Sequence, residues 1–262
     1  MEGEEKPLKL YFIPYLASGH MIPLCDIARL FASRGHHVTV ITTPFNAKVL
    51  HKSNPYQQHF HIHTFPFPSQ EVGLPDGIEN LSAVSDLDNS YKVYQATVVL
   101  RSSIETFVEK DPPDCIVADF LYPWVDDLAN KLRIPRLSFN GFSLFTICAM
   151  EAVKKLPIAS YDSFTIPDFP HDDITINASP PEYARGFLEP LLEVLMKSDG
   201  LIVNNFAELD GEEYIEYYHK ATGRRAWHLG PACLIRTTAQ EKAERGQQSV
   251  ARAKKELIMR NY

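Results

Sequence analysis

Cysteine, glycine and tryptophan are scarce in this chain of 262 residues, at four, 12 and two copies. Cys25, Cys115, Cys148 and Cys233 are too widely spaced for a CxxC metal or redox pair. They read as buried free thiols of a reducing compartment. Basic residues are outnumbered, 26 Lys+Arg against 33 Asp+Glu, for a formal net charge of -7. With no basic stripe, nucleic acid and anionic membrane surfaces are excluded as partners. Long apolar runs are missing too: the most apolar stretch, 137–150, is interrupted by Asn140 and is too short to span a bilayer. Stable membrane insertion is therefore not expected. The opening Met1–Lys6 is acidic where a secretion signal would be basic, which makes a cytoplasmic location the expectation. Without secretion, the sequons at Asn80 and Asn177 carry no weight. What is present, 45% hydrophobic residues, is the composition of a folded globule suited to small-molecule work.

Strand and helix signals alternate along the chain. The spacing predicts strands over 9–14, 37–42, 59–65, 115–119, 136–139, 200–204 and 226–229. It predicts helices over 22–34, to about Lys52, and over 90–109, 124–132, 144–154, 181–197 and 210–222. Strands separated by helices pair in parallel through right-handed crossovers, so the fold class is α/β, a doubly wound, mostly parallel Rossmann-like sheet. Five prolines (157, 167, 170, 180 and 181) mark a long irregular segment of the kind that lines a site. Residues 1–236 read as one domain and 237–262 as a polar, partly helical tail with too few apolar positions for a second core.

In an open parallel sheet, ligands bind at the carboxyl ends of the strands. Two such ends carry suggestive side chains. Ser18-Gly19-His20 follows the first strand just before a helix, and Asp119 closes the fourth. Neighbouring strand ends would bring them together, and a histidine backed by a carboxylate takes a proton from a hydroxyl near neutral pH. The plainer alternatives are a capping histidine and an aspartate that caps the next helix. Other chemistries fare worse. Gly19 is the only glycine between Lys9 and Arg34, too few for a dinucleotide fingerprint. Gly141-Phe-Ser143-Leu-Phe145 misses the hydrolase elbow by its bulky last residue. His59, His61 and His63 share one side of a strand, but no Cys or carboxylate lies nearby in sequence. A solvent-facing strand side explains them better than a zinc site, so no metal is expected.

Five motifs in order point further: 12–24 (FIPYLASGHMIPL), 35–42 (GHHVTVIT), 114–124 (DCIVADFLYPW), 199–209 (DGLIVNNFAEL) and 225–231 (RAWHLGP). Together they resemble the N-terminal, acceptor-binding half of plant UDP-dependent glycosyltransferases over roughly residues 8–248. The likeness is greatest to the branch acting on flavonoids, isoflavonoids and triterpenoid sapogenins. It implies a two-domain architecture of the GT-B type and an inverting reaction without cofactor or metal, with UDP-sugar as co-substrate. It further implies His20 as general base and Asp119 as its partner. Ser18, Gly19, Gly141 and Ser143 would line the donor sugar. Phe120, Leu121, Phe142, Phe145 and Phe187 would wall a hydrophobic hydroxylated acceptor, although each is equally a candidate for the core. The family's long Trp- and His-containing donor box has no counterpart after Trp227. The expectation is therefore a truncated chain, inactive alone. Its rival is a non-catalytic acceptor-binding or interaction module.

Overall fold

Apolar residues alternate along the first strand, β1 (Lys9–Ile13), and that alternation decides how the chain is layered. Leu10 and Phe12 face one side of a sheet, Tyr11 and Ile13 the other, and all four are buried. A strand covered on both faces is the signature of a parallel sheet with helices on each side. The computed structural model describes residues 6–51, 58–154, 164–165, 169–170, 175–176 and 197–235. The expected tail, most of the 181–197 helix and Phe187 lie outside them.

The other strands are β2 (His37–Thr42), β3 (Phe60–Thr64), β4 (Cys115–Asp119), β5 (Arg136–Asn140), β8 (Gly200–Val203) and β9 (Arg225–His228). Between β5 and β8, β6 (Phe164–Thr165) and β7 (Thr175–Ile176) form a small antiparallel pair. Among the described residues, the main sheet runs β3-β2-β1-β4-β5-β8-β9, and every pairing in it is parallel. The order reverses between β1 and β4, where the chain winds outward in both directions. That reversal opens a crevice at the carboxyl ends of these two strands.

Among the described residues, seven helices flank the sheet before β8: α1 (Ser18–Ser33), α2 (Pro44–His51), α3 (Ser69–Val72), α4 (Leu87–Val99), α5 (Arg101–Lys110), α6 (Trp124–Leu132) and α7 (Leu144–Lys154). The helices Ala207–Asp210 and Glu213–Thr222 lie between β8 and β9. Met21, Leu24, Ile27 and Ala28 of α1 pack with Phe12, Val40 and Phe139 on one face. Ile104, Val125, Leu128 and Ile147 pack with Ile13, Ile116 and Leu201 on the other.

Several boundaries differ from the sequence expectation, among them that of the helix expected over 210–222, which is two helices, Ala207–Asp210 and Glu213–Thr222. Helix α1 begins at Ser18 rather than near Ile22, because Ala17 is extended and closes the preceding turn. Pro23 is tolerated inside it, but its missing N–H leaves the Gly19 carbonyl without its i+4 donor. The helix expected over 90–109 is two helices meeting at Leu100, just after the β-branched run Thr97-Val98-Val99. It starts early, at Leu87, because the Asp86 carboxylate caps the Asn89 N–H at 2.8 Å.

Candidate active site

The crevice between β1 and β4 receives one side chain from each flank. His20 is the third residue of α1, so the short turn Pro14–Ala17 places it directly above the end of β1. Asp119 is the last residue of β4, and Ile13 pairs with its neighbour Ala118. Ninety-nine positions apart in sequence, His20 Nδ1 and Asp119 Oδ2 stand 2.8 Å apart. The Asp119 side chain is fully buried and that of His20 is 26% exposed.

Both oxygens of Asp119 are engaged, since Oδ1 accepts the Leu121 N–H at 3.1 Å. The carboxylate thus closes its own turn instead of capping α6, which has no side-chain cap. An ionised carboxylate only accepts, so the His20 proton sits on Nδ1 and Nε2 keeps its lone pair in the neutral ring. Burial pulls the His20 pKa down, but the hydrogen bond and charge of Asp119 outweigh it, and the net shift is upward.

Aromatic rings hold the imidazole. Tyr15 meets it edge-on at 5.6 Å between centroids, and Phe120 lies nearly parallel at 6.1 Å. Tyr122 packs behind Tyr15 at 5.9 Å and donates its hydroxyl to the Pro14 carbonyl at 3.3 Å. Burial, then the charge of Asp119, then Tyr94 push the Tyr15 phenol up, so it stays protonated.

The other expected residues divide into two groups. Gly19 and Gly141 face each other: a Cβ on Gly141 would sit 3.8 Å from the Gly19 carbonyl oxygen. Phe142 is exposed, and its ring lies 6.2 Å from that of the buried Phe120. Ser18 lies beside them, bonded through its hydroxyl to Ser82 Oγ at 2.9 Å. Leu121 is buried and meets Asp119 through its backbone. Ser143 caps α7, where its Oγ accepts the Thr146 N–H at 3.2 Å. Phe145 packs against Tyr214 at 5.3 Å and Phe169 at 5.9 Å, an aromatic cluster of the core, and no ring contact joins it to His20.

Sequence reasoning missed Tyr15, Tyr122 and Ser82. Asn80, half of an apparent sequon, is buried and caps the turn Leu81–Ala83, accepting the Ser82 N–H at 2.9 Å. Its own amide donates to Asn46 Oδ1 at 2.8 Å, which fixes the turn that carries Ser82 to Ser18. The histidine strand is not uniformly solvated either. His63 stacks on Phe107 at 3.9 Å, and burial lowers its pKa. Among the described residues, no group of three or more His, Cys, Asp or Glu is arranged to hold a metal ion. No described helix is long and apolar enough to cross a membrane.

No protein-family model matches the chain. It is 41% identical over 259 residues to the UDP-glucosyl transferase 73CC6 of Saponaria officinalis, covering 94% of this chain and 53% of that protein. It is 36% identical over 260 residues to a UDP-glucose flavonoid 3-O-glucosyltransferase of Fragaria ananassa, covering 95% and 53%. In structure it resembles UGT73P12 of Glycyrrhiza uralensis, solved with glycyrrhetinic acid 3-O-monoglucuronide, at 33% identity and a TM-score of 0.80 over 92% of this chain and 52% of that one. The chain spans about half the length of the relatives it matches.

Proposed function

Over the half of its relatives' length that it spans, the chain is a member of the plant UDP-dependent glycosyltransferase family, and from this premise we propose that it is the acceptor-binding half of such an enzyme. The reaction is transfer of a sugar from UDP to a hydroxyl of an apolar plant metabolite, a flavonoid, isoflavonoid or triterpenoid sapogenin. His20 Nε2 takes the hydroxyl proton, and the oxygen attacks the anomeric carbon from the face opposite UDP. The C–O bond to UDP breaks as the new one forms, so the configuration inverts. No metal or other cofactor takes part in this scheme. Asp119 holds the tautomer and balances the imidazolium charge. The single observation that carries this reading is the 2.8 Å contact of His20 with a fully buried carboxylate at the sheet's reversal point.

A hydroxyl is a weak nucleophile until its proton leaves, and a paired imidazole is a suitable base near pH 7. Phe120, Leu121 and Phe142 supply the apolar wall for the acceptor. Ser18 and the facing Gly19 and Gly141 leave room for a sugar beside the base, while Ser143 acts on that loop through α7.

A second reading is that a polypeptide of these 262 residues alone binds acceptor without transferring sugar. Calorimetric titration with UDP, alongside a chromatographic assay on flavonoid and sapogenin acceptors, separates the two. Acceptor binding without UDP binding or glycoside supports the binding-module reading for the isolated chain. Glycoside formed by the chain alone, and abolished by His20→Ala, shows that this half is self-sufficient. Failure to bind any such acceptor refutes both.

A further inference from the structure

A second histidine–carboxylate pair lies on the same edge of the sheet. Asp210 ends the helix Ala207–Asp210, and His228 ends β9. His228 Nε2 donates to Asp210 Oδ2 at 2.9 Å, and their side chains are only 7% and 3% exposed. The same oxygen accepts the Leu144 N–H at 2.9 Å. We propose that Asp210 and His228 are positioning residues that fix the Gly141–Ser143 turn beside His20, an inference that rests on the acceptor-site reading above.

The turn has anchors at both ends. At its start, Asn140 Oδ1 accepts the Phe142 N–H at 2.9 Å. At its end, the first N–H groups of α7 need partners from outside the helix. Ser143 takes that of Thr146, and Asp210 takes that of Leu144. Between these anchors sit Gly141, which faces the Gly19 carbonyl, and Phe142, which faces Phe120. A slackened Leu144 anchor moves both. Gly141 would close on or retreat from Gly19, and the Phe142 ring would leave the wall that Phe120 continues to His20.

Stability is a poor explanation for the pair. His228 Nδ1 is buried and has no hydrogen-bond partner among the described residues, where the imidazole is held by Asp210 through one nitrogen. A buried polar pair that leaves an atom unsatisfied gains little over an apolar pair of similar volume. What it gains is direction, because a carboxylate held by His228 presents its oxygen at a fixed point to the α7 terminus.

The test is amide hydrogen exchange on the 262-residue chain, with quercetin binding followed by fluorescence. Asp210→Ala is expected to speed exchange at Leu144 and Phe142 roughly tenfold to a hundredfold, as expected for loss of a charge-assisted bond, while Leu121 stays protected. Quercetin affinity should fall about threefold to tenfold. Asp210→Asn, which keeps an acceptor oxygen, should recover part of both effects. It also carries the measurement should the alanine variant fail to fold. Equal acceleration at all amides, or none at Leu144 and Phe142, overturns the inference. So does unchanged quercetin affinity in a chain whose turn has loosened. If the unsubstituted chain does not bind quercetin, the acceptor reading fails, and the exchange pattern alone still decides whether the tether exists.

Discussion

In the proposed reaction the two nitrogens of His20 have separate tasks: Asp119 holds Nδ1 at 2.8 Å, and Nε2 is left to act as a base. In a full-length protein containing these residues, His20→Ala should lower turnover by about 10²–10⁴ with little change in acceptor affinity. Product formation under saturating acceptor measures it, and near-normal turnover with an alcohol acceptor would remove His20 from the chemistry. Its raised pKa sets a pH dependence. The base works only when neutral, so the acidic limb of kcat/KM should lie above the ordinary imidazole value of 6.5. Asp119→Asn removes the charge behind that shift, so the limb should move down while the fold persists. An unmoved limb with normal turnover would show the carboxylate to be purely structural. The same shift acts on stability. The folded chain holds the His20 proton more tightly than the unfolded chain. The protonated pair therefore stabilises the fold below pH 6.5, and this contribution is lost as pH rises through the higher folded-state value. Urea midpoints of the wild type and His20→Ala should accordingly converge as pH is raised.

Elements meet where single residues permit close approach. β8 lies next to β9, and the Trp227 ring occupies the space that a Cβ on Gly200 would fill. Gly200→Ala must displace the indole, at a cost of about 1–3 kcal/mol. Denaturant unfolding reads the loss, and a shift in tryptophan fluorescence locates it; an unchanged spectrum would show that the strands part instead. Helix α6 is tied to β5 by Arg136 and Asp126, 2.6 Å apart with both side chains nearly inaccessible. Burial lowers the Arg136 pKa despite its partner, and burial raises that of Asp126 despite the guanidinium. Asp126→Ala leaves a buried cation unpaired and should cost about 3–5 kcal/mol. Replacing both residues by apolar ones should recover most of that loss, and a double-mutant cycle checks it.

At the scale of the molecule, one sheet joins two apolar layers, so neither layer can unfold alone. Phe12, wholly buried beneath α1, is the sharpest probe. Phe12→Ala should lower stability by about 3–5 kcal/mol and keep a single transition, with far- and near-ultraviolet dichroism midpoints coinciding. Separate transitions for the two layers would contradict a shared core. Strands β2 and β4 and helices α6 and α7 were legible from β-branched runs and helical spacing, since each is a local pattern bounded by a turn. Less local events were not. The early start of α1 depends on an extended Ala17, and the break at Leu100 falls in a stretch whose apolar spacing continues unbroken.

The alternation of strands and helices, the parallel sheet and the candidate strand ends were already legible in the residues, because apolar period and turn residues act over a few positions. The motif order in turn pointed to the family. That β1 and β4 are neighbours, and so that His20 reaches Asp119 across 99 positions, emerged only from the folded arrangement. It alone set the Phe120 ring between His20 and Phe142, and Phe145 against Tyr214 and Phe169. It also joined Asp210 and His228 to the start of α7. Each of these is a long-range pairing set by strand order and packing, and the composition of a segment records which face is apolar but not which distant residue will cover it.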